Sequence, residues 1–260
     1  MIDIQSSKDS RCVPIRWVGV TDIRHPLAWK ESGSADSQSL PTTGCFALLV
    51  ALPAEEKGTH MSRFLQCLYD ALPNLDEASL VSLVRTVKER LEAPKAQIKV
   101  NFPYFFEKEA PISKTKGVSE AEVSLVCTVD EKDNVSWEQT VEVKATSLCP
   151  CSKAISKYGA HNQRSLLVTK IIGELQPLDL LIKSAESSAS CALYPTLKRE
   201  DEKYVTEAAY ENPRFVEDLV REMAINLAEK GVRKFEVSSV NYESIHNHNV
   251  WAIVKSEDFL

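Results

Sequence analysis

No stretch of the 260 residues approaches the roughly 18–20 uninterrupted apolar positions that a membrane-spanning helix needs, so no such span is expected. Residues 1–9 lack the apolar core and basic flank of an export signal, and none is expected. Basic residues are not in excess: 31 Lys and Arg stand against 37 Asp and Glu, a formal charge of −6. A nucleic-acid partner needs a basic face and is therefore not expected, while an anionic small substrate would need a local basic pocket. No second pair of cysteines matches Cys149 and Cys151, which argues against a four-cysteine structural zinc site. What is present is ordinary for a folded chain. A hydrophobic share of 43% with 26% charged residues excludes wholesale disorder. Seven cysteines, an odd number, suit a reducing cytoplasm, where clustered thiols mean metal, catalysis or burial rather than disulfides.

Periodicity divides the chain into an arm, residues 1–43, and two modules, 44–130 and 131–260. The arm is irregular, with Pro14, Pro26, Pro41 and a Ser/Gly/Asp stretch at 32–38, and holds at most one strand. Residues 45–52 form a short apolar run that suits a buried strand. Thr59 is placed as the N-cap of a helix carrying Met61, Phe64, Leu65, Leu68 and Leu72. A second helix carries Leu80, Leu83, Val84, Val87 and Leu91 on one stripe. Strands follow at 98–106, where Pro103 suggests an edge or bulge, and around Val123, Leu125 and Cys127. The second module repeats this order. Strands at 135–143 and 166–172 precede a helix from about Pro177 and another begun by Asn212-Pro213, which buries Phe215 and Val216 and ends at Gly231. Two antiparallel strands, 232–242 and 249–254, close the chain. Strand–strand–helix–helix–strand–strand, twice, is an α+β fold: antiparallel sheets with paired helices on one face. Their edge strands would be covered by pairing between subunits into an oligomeric barrel. Cys12, Cys45, Cys67 and Cys127 read as small core residues.

Side chains able to bind metal cluster late in the chain: Cys149 and Cys151 around Pro150, then His161, Glu202, His246 and His248. One thiolate with an imidazole and a carboxylate leaves an open coordination position, as metal-water chemistry requires. A redox pair or inert loop cysteines are the competing readings. Glu217, in the first turns of a helix, is either a functional acid or a surface partner of Arg221. Lys57, His60 and Arg63 lie near a helix N-terminus, where amides and dipole favour anions, or simply decorate a capped helix start.

Ser147-Leu-Cys-Pro-Cys-Ser-Lys153, Gly159-Ala-His-Asn-Gln-Arg164, Lys57-Gly-Thr-His-Met-Ser-Arg-Phe64, Asp201-Glu-Lys-Tyr-Val-Thr-Glu207 and Glu243-Ser-Ile-His-Asn-His248 resemble, in order, the motifs of the type IB GTP cyclohydrolase I family. Ala154 departs from that pattern, where an acidic residue is expected. The resemblance implies a tandem tunnelling fold (T-fold) assembled as a cytoplasmic homotetramer. It implies conversion of GTP and water to 7,8-dihydroneopterin triphosphate and formate, the first step toward tetrahydrofolate. It also implies a divalent metal, Mn²⁺, Zn²⁺ or Fe²⁺, held by Cys149, His161 and Glu202, with Cys149, His161 and His246 as the catalytic set. Glu217 would anchor the guanine edge, and Glu243 joins the substrate contacts. Lys57, His60, Arg63, Lys153 and Arg164 are candidate cations for the triphosphate, and Cys151 and Cys191 are each a candidate spare ligand or redox thiol.

The chemistry fits those residue types. Attack at guanine C8 needs hydroxide, and a metal lowers the pKa of water by many units. A glutamate accepts two hydrogen bonds from guanine that adenine cannot offer. An imidazole can protonate a ring nitrogen as the C8–N bonds break. Two rivals remain at this point: a T-fold nitrile reductase of queuosine synthesis, which needs a nucleophilic cysteine and no open metal site, and a non-catalytic metal-binding protein.

Overall fold

The computed structural model describes residue 5 and residues 7–31 and 40–259, so the Ser/Gly/Asp stretch at 32–38 lies outside the described residues. In chain order the elements are β1 (Ile15–Trp29), β2 (Thr42–Leu52), α1 (Met61–Ala71), β3 (Asn74–Leu75), α2 (Glu77–Arg90), β4 (Ala96–Glu109), β5 (Lys116–Val129) and β6 (Val135–Leu148). There follow α3 (Pro150–Ile155), β7 (Asn162–Ile172), α4 (Leu178–Ser188), β8 (Cys191–Ala192), α5 (Arg199–Glu211), α6 (Val216–Glu229), β9 (Phe235–Asn241) and β10 (Val250–Lys255). The result is an α+β chain whose long strands pair mainly antiparallel. Two compact units interleave along the sequence: residues 1–103 with 124–138, and residues 104–123 with 139–260.

In the first unit the strands run β3–β1–β2–β4. Burial alternates strictly along β2, placing Phe46, Leu48, Val50 and Leu52 inward. Phe64, Cys67 and Leu68 of α1 and the stripe Leu80, Leu83, Val84 and Val87 of α2 are buried as well, and α2 packs against both β2 and α1. Strand and helix periods thus meet in one apolar layer. The stretch read as an irregular arm carries the 15-residue β1, which pairs with β2 from Ile15 to Leu27.

In the second unit the order is β4–β5–β6–β7–β9–β10, with β8 on β6. Leu178, Leu181 and Ile182 of α4 and Leu219, Val220, Met223 and Leu227 of α6 are buried, and the helices pack on one another. Reciprocal bonds, Gln139 Nε2 to the Gln176 carbonyl and the Gln176 amide to Gln139 Oε1, each 2.9 Å, pin the entry to α4. Gly231 takes a left-handed φ of 83° and closes α6.

Several local expectations are corrected. His60, not Thr59, occupies the N-cap position of α1 and makes no side-chain cap, while Thr59 is buried. Pro103 sits inside the order rather than at an edge. The β2 ladder on β4 ends at Asn101, so the missing N–H of Pro103 costs no bond to β2. Asn212 closes α5 instead of opening the next helix, which begins at Val216 after Phe215, and Phe215 is 39% exposed rather than buried. Cys12 is exposed and Cys45 half-buried, whereas Cys67 and Cys127 are core residues. Burial pushes the Cys127 thiol up to about 12.

The start of α2 is a reciprocal capping box: Asp76 accepts from the Ser79 amide at 2.7 Å and the Ser79 hydroxyl accepts from the Asp76 amide. Bonds from the Ser79 hydroxyl and amide hold the Asp76 carboxyl below its ordinary range. A depressed carboxyl stabilises above its unfolded pKa and loses that contribution as pH falls through the folded one. Asp76→Ala should therefore cost about 1 kcal/mol at neutral pH. The difference from wild type should shrink below about pH 4, as read by urea unfolding across a pH series.

Candidate active site

The second unit brings the Cys149 and His161 motifs together through backbone bonds. Strand β6 ends at Leu148, and its last residues are held from several sides. The Leu148 amide donates to Ser190 Oγ at 3.0 Å, and its carbonyl accepts the Arg214 amide at 3.0 Å. The Cys149 amide donates to the His161 carbonyl at 3.1 Å, so the thiol and the imidazole leave the backbone at one place. Cys149 is the N-cap of α3, with Pro150 next, and its sulfur accepts the Ser152 amide at 3.4 Å. The Ser152 hydroxyl donates to the Cys149 carbonyl and accepts the His161 amide, both at 3.2 Å. Gly159 adopts a φ of 119°, which a side chain would resist, and so turns the chain from α3 back toward β7.

The imidazole of His161 is oriented from behind. Its Nδ1 lies 2.9 Å from Gln163 Oε1, and Gln163 Nε2 donates to the buried Ser147 hydroxyl at 2.8 Å. In the tautomer that donates from Nδ1 to Gln163 Oε1, Nε2 keeps its lone pair, the arrangement of a metal-ligating histidine. Ser244 Oγ lies 3.4 Å from the same Nδ1, which places the 242–249 loop beside His161. That loop carries Glu243, His246 and His248. The two histidines are exposed, with rings stacked 5.2 Å apart.

Glu202 stands in the first turns of α5, a helix that sequence reading did not anticipate, and is exposed. Among the described residues no three His, Cys, Asp or Glu side chains group closely enough to hold a metal ion. A backbone bond brings Cys149 and His161 together, and among the described residues no third side chain able to bind metal joins them. Glu217 is exposed in the first turn of α6, and Arg221 pairs with Asp218 at 3.4 Å. Lys153 donates to the Tyr210 carbonyl and lies 4.4 Å from the Tyr210 ring centre, tying α3 to the C-terminal end of α5. Arg164 is exposed on β7, beside Lys144 and Tyr242, on the wall of a cavity of about 390 Å³.

Lys57, His60 and Arg63 belong to the first unit, around the start of α1. Arg63 donates to the Arg90 carbonyl at 3.2 Å, covering the C-terminal end of α2. Cys151 is exposed on α3. Cys191 is half-buried on β8, and burial pushes its thiol up, which opposes a thiolate role. Sequence reading missed Gln163, Ser147, Ser244 and the buried Asp201. For Gln163 a signal existed: it lies two residues past His161, on the same side of an extended segment.

A family model described as type I GTP cyclohydrolase folE2 matches residues 1–252. The chain belongs to this family. GTP cyclohydrolase FolE2 of Bordetella petrii is 46% identical, over 98% of this chain and 96% of the relative. The FolE2 protein of Paraburkholderia phymatum is also 46% identical, over 99% and 95%. The activity is that of a GTP cyclohydrolase, a hydrolase of folate synthesis, which sets aside the nitrile reductase and the non-catalytic protein. A uricase from Arthrobacter globiformis superposes with a TM-score of 0.51 at 8% identity, covering 98% of this chain and 96% of that one. That likeness concerns the fold alone.

Because Lys153 is the cation that joins α3 to α5, Lys153→Ala should loosen the segment carrying the paired thiol. Amide exchange should quicken over 150–155 while β9 stays protected, as followed by mass spectrometry.

Proposed function

We propose that this chain converts GTP and water to 7,8-dihydroneopterin triphosphate and formate at a divalent-metal site built from Cys149, His161 and Glu202. The observation that carries the reading is the Cys149–His161 pair, with Gln163 holding the imidazole so that Nε2 is free. A sulfur and a nitrogen held together by backbone bonds suit a transition-metal cation, Mn²⁺, Zn²⁺ or Fe²⁺, better than Ca²⁺ or Mg²⁺. What such a cation supplies is a lowered pKa for water, the nucleophile that guanine C8 requires at neutral pH.

The remaining roles belong to this chain's own side chains. Glu217 accepts two hydrogen bonds from the guanine N1–H and 2-amino groups and so selects the base. His246, on the loop beside His161, passes a proton to a ring nitrogen as the C8–N bonds break. Glu243 takes part in the substrate contacts. Lys57, His60, Arg63, Lys153 and Arg164 supply the positive field for the triphosphate, with Lys153 and Arg63 also tethering helices. Cys151 is a spare ligand or a redox partner of Cys149, and Cys191, with its raised thiol, the weaker candidate of the two. In this reading the two sequence modules are tandem T-folds, and four copies close into a barrel in the cytoplasm. A single chain supplies two of three donors at one place, so the reading ties the third to assembly.

The deciding measurement is turnover of metal-stripped protein with GTP, with and without Mn²⁺, read as formate and as pterin fluorescence after oxidation. Activity should appear only with the ion, and full activity in the stripped protein would refute the metal reading. Cys149→Ser should reduce both bound metal and turnover by more than about a hundredfold. Glu217→Gln should leave metal content intact while losing about 1.5–3 kcal/mol of charged hydrogen bonding, roughly ten- to hundredfold in KM for GTP. Loss of metal in the Glu217 variant would instead make that residue a ligand or a structural acid.

A further inference from the structure

Asp201 is the one fully buried carboxylate, and the only buried Asp, Glu, Lys or Arg among the described residues. Burying a carboxylate is costly unless its lone pairs are filled. Here four donors fill them. Oδ1 accepts the amides of Ile112 and Ser113, each at 2.9 Å. Oδ2 accepts the Ser113 hydroxyl at 2.6 Å and the Lys198 amide at 2.9 Å. Only the last bond serves the N-terminus of α5 itself. The other three cross to the turn between β4 and β5, which is closed by the Ala110 amide on the Thr115 carbonyl at 2.9 Å, with the Thr115 hydroxyl 3.0 Å from Ser113 Oγ and able to donate to it.

A helix that needs only an N-terminal cap can take it from a residue facing solvent. Three charge-assisted bonds to a separate turn do something else: they fix both the place and the rotation of the first turn of α5. Successive helical residues are turned by about 100°, so seating Asp201 inward determines where Glu202 points. Glu202 is accordingly exposed beside a neighbour that is not exposed at all. We propose that Asp201 is a positioning residue for the GTP cyclohydrolase reaction, which by gripping the β4–β5 turn holds Glu202 in the orientation that binds the metal. The proposal rests on the reading of Glu202 as a ligand.

The test is Mn²⁺ affinity and stoichiometry, measured directly on the assembled protein well below each variant's unfolding temperature. Glu202→Gln provides the reference loss. Asp201→Asn keeps one oxygen but turns an NH₂ toward donors, and should weaken Mn²⁺ binding about ten- to a hundredfold, as loss of an outer-shell support does. Ser113→Ala removes one of the four bonds and should weaken binding severalfold, while Ser113→Thr, which keeps the hydroxyl, should restore it. Should Asp201→Asn fail to fold, the Ser113 pair decides. Wild-type Mn²⁺ affinity in Asp201→Asn or in Ser113→Ala, with Glu202→Gln having lost the ion, overturns the positioning role and leaves the ligand reading standing. Undiminished binding in Glu202→Gln removes the ligand role and the positioning role with it.

Discussion

The hydrogen bond from the Cys149 amide to the His161 carbonyl is the constraint on which the candidate site depends. Twelve positions separate the two residues in the chain, and α3 fills the interval as a short excursion. Without that bond, and the Ser152 hydroxyl bridging both backbones, the thiol and the imidazole would sit on independently moving ends. With it, the backbone that carries the thiol and the imidazole is held before any ligand arrives, so the cost of ordering that backbone is met at folding. The surrounding polar groups extend the same logic outward. Ser190 and Arg214 hold Leu148, and Gln163 and Ser147 hold the ring, each buried or half-buried group finding a partner.

Much of the α+β order was legible because its signals are periodic. The alternating β2, the stripes of α2 and α6 and the helix start at Pro177 are each dictated by local pattern. What pattern could not convey was α5. Its residues 199–211 are mostly charged, with Asp201 and Ala209 its only buried members, so no apolar stripe announces it. The helix is held by polar bonds at its ends instead, and those at its start depend on a turn almost ninety residues earlier. The same gap explains the misplaced start of α6: Asn212-Pro213 resembles a helix opening, but the asparagine closes the preceding helix and donates to the Ala189 carbonyl.

The site residues divide in the same way. Motif resemblance singled out Cys149, His161, Glu202, Glu217 and His246 by type and order. It had no means to identify the supporting groups, because Gln163 and Asp201 act through hydrogen bonds whose partners are distant or generic. Nor could it separate a cation available to phosphate from one already engaged. Lys153 and Arg63 look alike as sequence, and each reaches a helix C-terminal carbonyl, where a positive charge also meets the negative end of the dipole.

Helix α5 is clamped at both extremities, by the buried aspartate near its start and by the Lys153 ammonium and the Asn212 amide at its finish. A rod fastened at two points becomes a ruler. One extra residue between Asp201 and Tyr210 would lengthen it by about 1.5 Å and swing everything beyond the insertion by about 100°, so one fastening would have to break.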